Sequence, residues 1–204
     1  MNTLGLKYWL TVGIWLTAVI LLVLIEHYSV FWYQWDYSLL CVAYRLRSFQ
    51  LDGFFSLITW AGSLAILVPI TGMICTFLGK FGRFSDAWLL VLSLAGSALF
   101  SRLAKIWFVR PRPDLFPVIG VSPLDFSFPS VHTAQIVAFT VALACTLKLE
   151  KLGLTYYFLV GIFLLLSALV AISRIYLQVH YPSDVLGGAV MGLLWVLGLF
   201  ISYR

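Results

Sequence analysis

The stretch Ser173-Arg174-Ile175-Tyr176-Leu177-Gln178-Val179-His180-Tyr181-Pro182-Ser183-Asp184 sits between two long apolar runs, Tyr156 to Leu177 and Ser183 to Ser202. A helix crosses a bilayer with about 20 mostly apolar residues. The two runs therefore read as a pair of spanning helices, and the stretch as the turn that joins them. The turn carries an Arg, a His and an Asp, residue types that are scarce in this chain. His180 is one of three histidines, and a carboxylate follows it four residues later. A histidine that acts as nucleophile or base needs such an anion to fix its tautomer and raise its basicity. The competing reading is a plain polar turn between helices.

Composition extends the helical reading to the whole chain. Of 204 residues, 62% are hydrophobic and 10% charged, and the mean hydropathy is +1.02. A soluble domain carries about 25% charged residues, so too little polar surface exists to cover a globule in water. The class is all-α and polytopic, one membrane domain over residues 1–204 with its motif-bearing core in 54–204. The net charge of +5 does not point to nucleic acid, because the basic residues sit at the ends of apolar runs. Cys41, Cys75 and Cys145 have no paired spacing and read as small apolar fillers. The first apolar run lacks a small-x-small cleavage site and reads as an anchor.

Six spans are expected: Tyr8–Ile25, Phe54–Leu78, Ala87–Val109, Val131–Leu147, Tyr156–Leu177 and Ser183–Ser202. Pro69 is expected to kink the second, and the fourth reaches full length only if it starts near Pro129. The runs are continuous, without the alternation of strands. Between the first two spans, Glu26 to Asp52 differs. An aromatic cluster (Phe31, Trp32, Tyr33, Trp35, Tyr37) precedes Leu39, Leu40, Ala43, Leu46 and Phe49 at helical spacing, with Arg45 and Arg47 among them. This reads as a helix lying in the interface, with a seventh, poor span as the alternative. For orientation, a cytoplasmic N-terminus puts Lys7, Lys80, Arg83, Lys148, Lys151 and Arg204 on that side, against Arg45, Arg47, Arg102, Lys105, Arg110, Arg112 and Arg174 opposite. Most of the second set lie in polar clusters rather than ordinary loops. Discounting them leaves both termini cytoplasmic.

Six spans bring the end of the third helix, the start of the fourth and the last turn to one membrane face. Those are the three places where polar residues gather. In the first, Arg102 and Lys105 share a helix face. Pro111 ends the helix, and Arg112 is held between two prolines on a stiff segment. Arg suits bidentate phosphate binding and Lys adds a point charge; snorkelling to headgroups is the alternative. In the second, Ser127-Phe128-Pro129-Ser130-Val131-His132-Thr133 opens the fourth helix. Free N–H groups there and the Ser130 hydroxyl make an anion site, and His132 adds a proton donor or acceptor; a simple helix cap is the alternative. In the third, Asp184 falls in the first turn of the last helix, where the dipole favours a carboxylate. It can accept from one ring nitrogen of His180 while the other faces a cavity. Together these groups fit phosphoryl transfer. The acidic residues show no metal-ligand spacing.

Lys105-x6-Arg112-Pro113, Pro129-Ser130-Val131-His132 and Ser173-Arg174-x5-His180-x3-Asp184 resemble, in order and spacing, the three motifs of the type 2 phosphatidic acid phosphatase (PAP2) family, membrane relatives of the vanadium haloperoxidases. The resemblance covers the second to sixth spans. It implies a membrane lipid phosphatase without cofactor or metal. It further implies that His180 attacks phosphorus, that Asp184 orients it and that His132 protonates the leaving oxygen. Lys105, Arg112, Ser130, Val131 through its N–H, and Arg174 would hold the phosphate. Arg102 and Arg110 match no motif position and are expected as headgroup or substrate contacts. The family's Gly is Val131 here. Gly permits positive φ and close backbone approach, so the contact survives only if the backbone at 131 is already helical. Some family members that act on polyprenyl diphosphates also lack this Gly. The expected substrate is thus undecaprenyl diphosphate first, then phosphatidylglycerol phosphate or phosphatidic acid, at an extracytoplasmic site in the cell membrane. A lipid-to-lipid phosphotransferase and a non-enzymatic lipid-binding or channel protein are the competing readings, and a vanadate-dependent halide oxidase is a remote one.

Overall fold

The computed structural model describes residues 3–147 and 153–203; Lys148, Lys151 and Arg204, three of the charges counted for orientation, lie outside the described residues. Among the described residues the fold has eight α-helices and no strand. They are α1 (Thr3–His27), α2 (Ser29–Arg45), α3 (Phe49–Ile58), α4 (Leu64–Lys80), α5 (Phe84–Phe108), α6 (Val131–Thr146), α7 (Leu154–Tyr176) and α8 (Pro182–Tyr203). Four of them are long and apolar enough to cross a membrane: Leu4–His27, Phe84–Phe108, Leu154–Tyr176 and Pro182–Tyr203. The pair Phe49–Gly62 and Leu64–Lys80 makes a fifth if counted as one bent span, and Val131–Thr146 is a shorter apolar helix.

The expected second span, Phe54–Leu78, is broken, and the break is not at Pro69. Pro69 lies inside α4, which runs on past it. The chain turns through 47° at a short 3-10 turn, Thr59–Gly62, followed by Ser63 in extended conformation. The cause is packing. A Cβ on Gly62 would lie 3.0 Å from the His132 carbonyl oxygen and 2.6 Å from the Val170 side chain. The chain can approach α6 and α7 this closely only through a residue without a side chain. The break also frees Thr59, whose hydroxyl accepts a 2.6 Å bond from Arg174 Nη1.

α8 is the axis of the bundle, with α1, α6 and α5 packed along it. Its contact with α6 is made through backbone. A Cβ on Gly188 would stand 2.4 Å from the Ser130 carbonyl oxygen, and one on Gly192 2.5 Å from that of Ala134. Ser130 N–H donates to the Asp184 carbonyl at 3.0 Å, which ties the start of α6 to the start of α8. A buried core runs between α4, α5, α6, α7 and α8, with Leu67, Leu90, Ile136, Phe139, Val170 and Val196 at its centre.

α2 occupies the segment read as interfacial. Its outer face exposes Phe31, Tyr33, Trp35 and Tyr37, while Asp36 and Leu40 are buried against the bundle. The Leu40 carbonyl accepts from Gln178 Nε2 at 3.0 Å, and Tyr176 OH donates to Asp52 at 2.7 Å. The aromatic segment is therefore fastened to the turn that carries His180.

Candidate active site

Three chain segments converge on one end of the bundle. α5 ends at Phe108, and Val109 takes left-handed geometry (φ 52°) as its C-cap. The chain then continues through Pro111 and Pro113, where no helix can propagate. α7 ends at Tyr176, and the N–H groups of Val179 and His180 both donate to the Arg174 carbonyl at 3.2 Å. This last turn needs Gln178 at φ 61°, a costly conformation for a residue with a side chain. Its amide bond to Leu40 helps to hold it. The result is that His180 is buried and fixed.

His180 has two differently occupied faces. Nδ1 lies 3.3 Å from Asp184 Oδ2 and 3.4 Å from Ser127 Oγ. Nε2 lies 3.3 Å from Arg112 Nη1. The arrangement suits the tautomer that donates from Nδ1 to the carboxylate and keeps a lone pair on Nε2. Burial, with the positive charges of Arg174, Arg112 and Lys105, holds the imidazole well below its ordinary pKa. Asp184 is fully buried. Its Oδ2 also accepts from Tyr181 N–H at 2.8 Å and from the Ser127 hydroxyl. Its Oδ1 accepts from Arg110 Nη1 at 2.7 Å.

A cavity of about 220 Å³ opens beside Nε2. Lys105, Arg112, Val131, His132, Arg174 and His180 all line it, with Arg102 and Gln135. Seven of the eight site residues expected from the sequence are thus at the cavity or, for Asp184, directly behind His180. Ser130 is the exception. It is fully buried as the N-cap of α6 and is not part of the cavity wall, and its Oγ accepts from Thr133 Oγ1 at 3.0 Å. Val131 begins α6 with no positive φ, so the backbone is already helical at the position where the family has Gly. N–H groups in the first helical turn have no intrahelical acceptor.

The cations are held in place by carbonyl, carboxylate and hydroxyl oxygens. Lys105 Nζ donates to the carbonyl oxygens of Phe126 and Ser127 and pairs with Asp125 at 3.1 Å. Arg112 donates to the Val179 carbonyl at 2.6 Å and to the Asp125 carbonyl at 2.8 Å, and it pairs with the Asp125 carboxylate. Arg174 keeps a buried Nε with no partner. A buried donor left unpaired is costly, and here a phosphate oxygen would satisfy it. Among the described residues no group of three or more His, Cys, Asp or Glu could hold a metal ion.

Three participants, Asp125, Thr59 and Asp36, carry no signal in the sequence, and Arg110 has a different place from the one expected. Asp125 was unmarked between motifs, and Thr59 lay in what read as a continuous span. Asp36 was hidden in the aromatic segment. Arg110, next to the helix-ending Pro111, was expected to contact a headgroup or the substrate; instead it bonds Asp184 and Asp36.

The chain is similar to several known proteins. A family model described as the PAP2 superfamily matches residues 86–204. Phosphatidylglycerophosphatase B of Bacillus subtilis (strain 168) is 33% identical over 142 residues, which covers 67% of this chain and 68% of that protein. A putative undecaprenyl-diphosphatase of Escherichia coli (strain K12) is 30% identical over 157 residues, 71% of this chain and 75% of that one. The crystal structure of a transmembrane PAP2 type phosphatidylglycerolphosphate phosphatase from Bacillus subtilis superposes with a TM-score of 0.79 at 29% identity and covers 93% of both chains.

Proposed function

This chain belongs to the PAP2 superfamily and is a multi-pass membrane lipid phosphatase, and on that footing we propose that it hydrolyses a lipid phosphate or diphosphate through a phosphohistidine at His180. The observation that carries the reading is the cavity itself. It joins a histidine whose Nε2 carries the lone pair, a carboxylate behind that histidine, three cations and a second histidine at a helix start.

Lys105, Arg112 and Arg174 would bind the equatorial oxygens of the phosphoryl group, with the first N–H groups of α6 at Val131 and His132. Ser130 supports them as the N-cap. His180 Nε2 attacks phosphorus, and Asp184 stabilises the positive charge that develops on the ring. His132 gives its proton to the leaving oxygen. It then takes one from the water that attacks the phosphohistidine and releases phosphate.

The family's substrates include a lipid diphosphate, and the preferred substrate here is undecaprenyl diphosphate, with phosphatidylglycerol phosphate or phosphatidic acid next. Val131 in place of the family's Gly supports that order, because some family members that act on polyprenyl diphosphates also lack this Gly. Leu64 and Arg102 lie on the cavity wall, so the lipid tail would leave between α4 and α5. We assign residues 1–204 to one domain with six spans. The bent pair α3–α4 counts as one span, and α6 is lengthened by the segment before it. At about 1.5 Å per residue, 16 residues reach only about 24 Å of a core about 30 Å thick. α2 lies in the interface with its aromatic face outward. Both termini are cytoplasmic, and the site opens to the extracytoplasmic face of the cell membrane.

A panel of lipid phosphates, assayed for free phosphate with and without EDTA in wild type and His180→Ala, tests the reading. Chelator-resistant release that vanishes in His180→Ala is expected. Phosphate that passes to an acceptor lipid without release would favour the phosphotransferase. Undiminished hydrolysis in His180→Ala would overturn the assignment.

A further inference from the structure

The cations of the cavity face the substrate phosphate, but the catalytic carboxylate has a cation of its own on the far side. Asp184 divides its two oxygens between two tasks. Oδ2 serves His180, Ser127 and the Tyr181 N–H, and Oδ1 meets the Arg110 guanidinium at 2.7 Å. Arg110 is in turn held by Asp36, whose Oδ2 lies 3.0 Å from Nη2. The Tyr181 ring stacks beneath it, with Cζ 4.4 Å from the ring centroid. Asp36 also accepts from Ser183 N–H at 2.8 Å and from Ser183 Oγ at 2.5 Å. It therefore fixes the start of α8 as well as the arginine. Both carboxylates are almost fully buried, at 1% exposure for Asp36 and 0% for Asp184.

From this geometry we infer that Arg110 and Asp36 are positioning residues for the reaction at His180. Asp36 fixes Arg110, and Arg110 fixes the Asp184 carboxylate in the rotation that points Oδ2 at His180 Nδ1 and so Nε2 at phosphorus. The inference rests on the phosphohistidine reading above. Three physical points carry it. A buried carboxylate without a counter-ion is strongly unfavourable, and removal of one partner from a buried pair leaves an uncompensated charge. An arginine fork can hold two carboxylates at once, which a lysine point charge cannot do with the same geometry. Finally, Arg110 lies outside the phosphate cavity. It lines a separate cavity of about 400 Å³ with Glu26, Tyr33, Asp36 and Tyr181, so it supports the nucleophile without competing for the substrate anion. α2 thereby becomes part of the catalytic device, although none of its residues touches the phosphate cavity.

Positioning through another residue makes a specific kinetic demand. The Lys105, Arg112 and Arg174 contacts remain when Arg110 is removed, so KM should hold while kcat falls. A catalytic group misplaced by about 1 Å loses roughly 100-fold in rate, which sets the expected scale for Arg110→Ala. The test measures kcat and KM for phosphate release from phosphatidylglycerol phosphate and undecaprenyl diphosphate. It uses the full-length protein in detergent micelles, with Arg110→Ala, Arg110→Lys, Asp36→Asn and the double variant Asp36→Asn/Arg110→Ala. Arg110→Ala should lose about 100-fold in kcat with KM within about threefold of wild type. Arg110→Lys should recover about tenfold of the loss, because one of two carboxylate contacts returns. Asp36→Asn should lose about tenfold alone and clearly less than tenfold further in the Arg110→Ala background, because its hold on Arg110 is already gone there and only its contact with Ser183 remains.

The inference is overturned if kcat of Arg110→Ala stays near wild type, if the loss is in KM alone, or if the Asp36 and Arg110 effects multiply. Should Arg110→Ala not fold, Arg110→Lys and Asp36→Asn decide by the same kcat-against-KM criterion. Wild-type protein inactive on every lipid phosphate would instead defeat the phosphatase reading. Active wild type with an unaffected Arg110→Ala defeats only the positioning role.

Discussion

Gly188→Ala adds one methyl group at the contact on which the site depends most. The new Cβ would stand 2.4 Å from the Ser130 carbonyl oxygen, 3.1 Å from Thr133 Cβ and 3.3 Å from Ala134 N, whereas ordinary contact begins at 3.4 Å. The nearest atom is backbone, so no side chain can swing aside. α8 and the start of α6 must separate by about 1 Å, the difference between 3.4 and 2.4. α8 carries Asp184 one turn earlier, and α6 carries Val131 and His132. The displacement therefore opens the distance between nucleophile and acid. Overpacking of this kind costs about 1–3 kcal/mol in stability, which a bundle of this size tolerates. A shift of about 1 Å in a catalytic constellation costs roughly 100-fold in rate. The assay is phosphate release by purified protein in micelles, with a thermal melt of the same sample. Gly13→Ala is the control, since nothing lies within 4 Å of its Cβ. The expected result is a folded Gly188→Ala with Tm lowered by a few degrees and kcat down roughly 100-fold, beside an unchanged Gly13→Ala. A Gly188→Ala within twofold of wild type in rate would refute the claim that the α6–α8 approach sets the site.

Arg174→Lys removes the fork that spans Thr59 and the unpaired Nε position; KM for a lipid phosphate should rise about tenfold or more, read by steady-state kinetics. Asp125 has its carboxylate between Lys105 and Arg112. Burial raises its pKa, but the bond from Arg112 and the Lys105 charge outweigh this and bring it below the usual range, so it stays an anion and competes with phosphate. Asp125→Asn should tighten product inhibition by inorganic phosphate by roughly three- to tenfold, and unchanged or weaker inhibition would contradict this. For pH, folding depresses the His180 pKa through burial and the Arg174, Arg112 and Lys105 charges. Below about pH 6.5 the unfolded chain then binds a proton that the folded chain does not. The stability that follows is present above that pH and lost as the pH falls. The Tm of wild type should drop from pH 7 to pH 5 more steeply than that of His180→Gln, while kcat shows no loss from His180 protonation near pH 6.5.

The helices and the polar residues that line the cavity were legible because their signals are local. Long apolar runs announce spans, and Lys105, Arg112, His132, Arg174, His180 and Asp184 stand out as polar residues at the ends of those runs. The break at Thr59–Ser63 was not legible. Its cause is a contact of Gly62 with α6 and α7, distant in sequence, while Pro69 offered a local signal that α4 accommodates. Asp36 was hidden for a similar reason. A carboxylate between Trp35 and Tyr37 on an amphipathic segment reads as solvent-facing, and only the packing of α2 on α8 buries it against Ser183. Ser130 shows the opposite limit: its motif position marks it, but whether its hydroxyl faces the cavity or Thr133 depends on the packing of the first turn of α6 and not on a local pattern.

The central claim is that His180 Nε2 becomes covalently phosphorylated. Wild-type protein should be mixed with a lipid substrate carrying a radiolabelled terminal phosphate, quenched in alkali within milliseconds and mapped by peptide. The account predicts an alkali-stable, acid-labile label on the peptide containing His180, absent from His180→Ala. A label on another residue, or full turnover by His180→Ala with no label there, would contradict it.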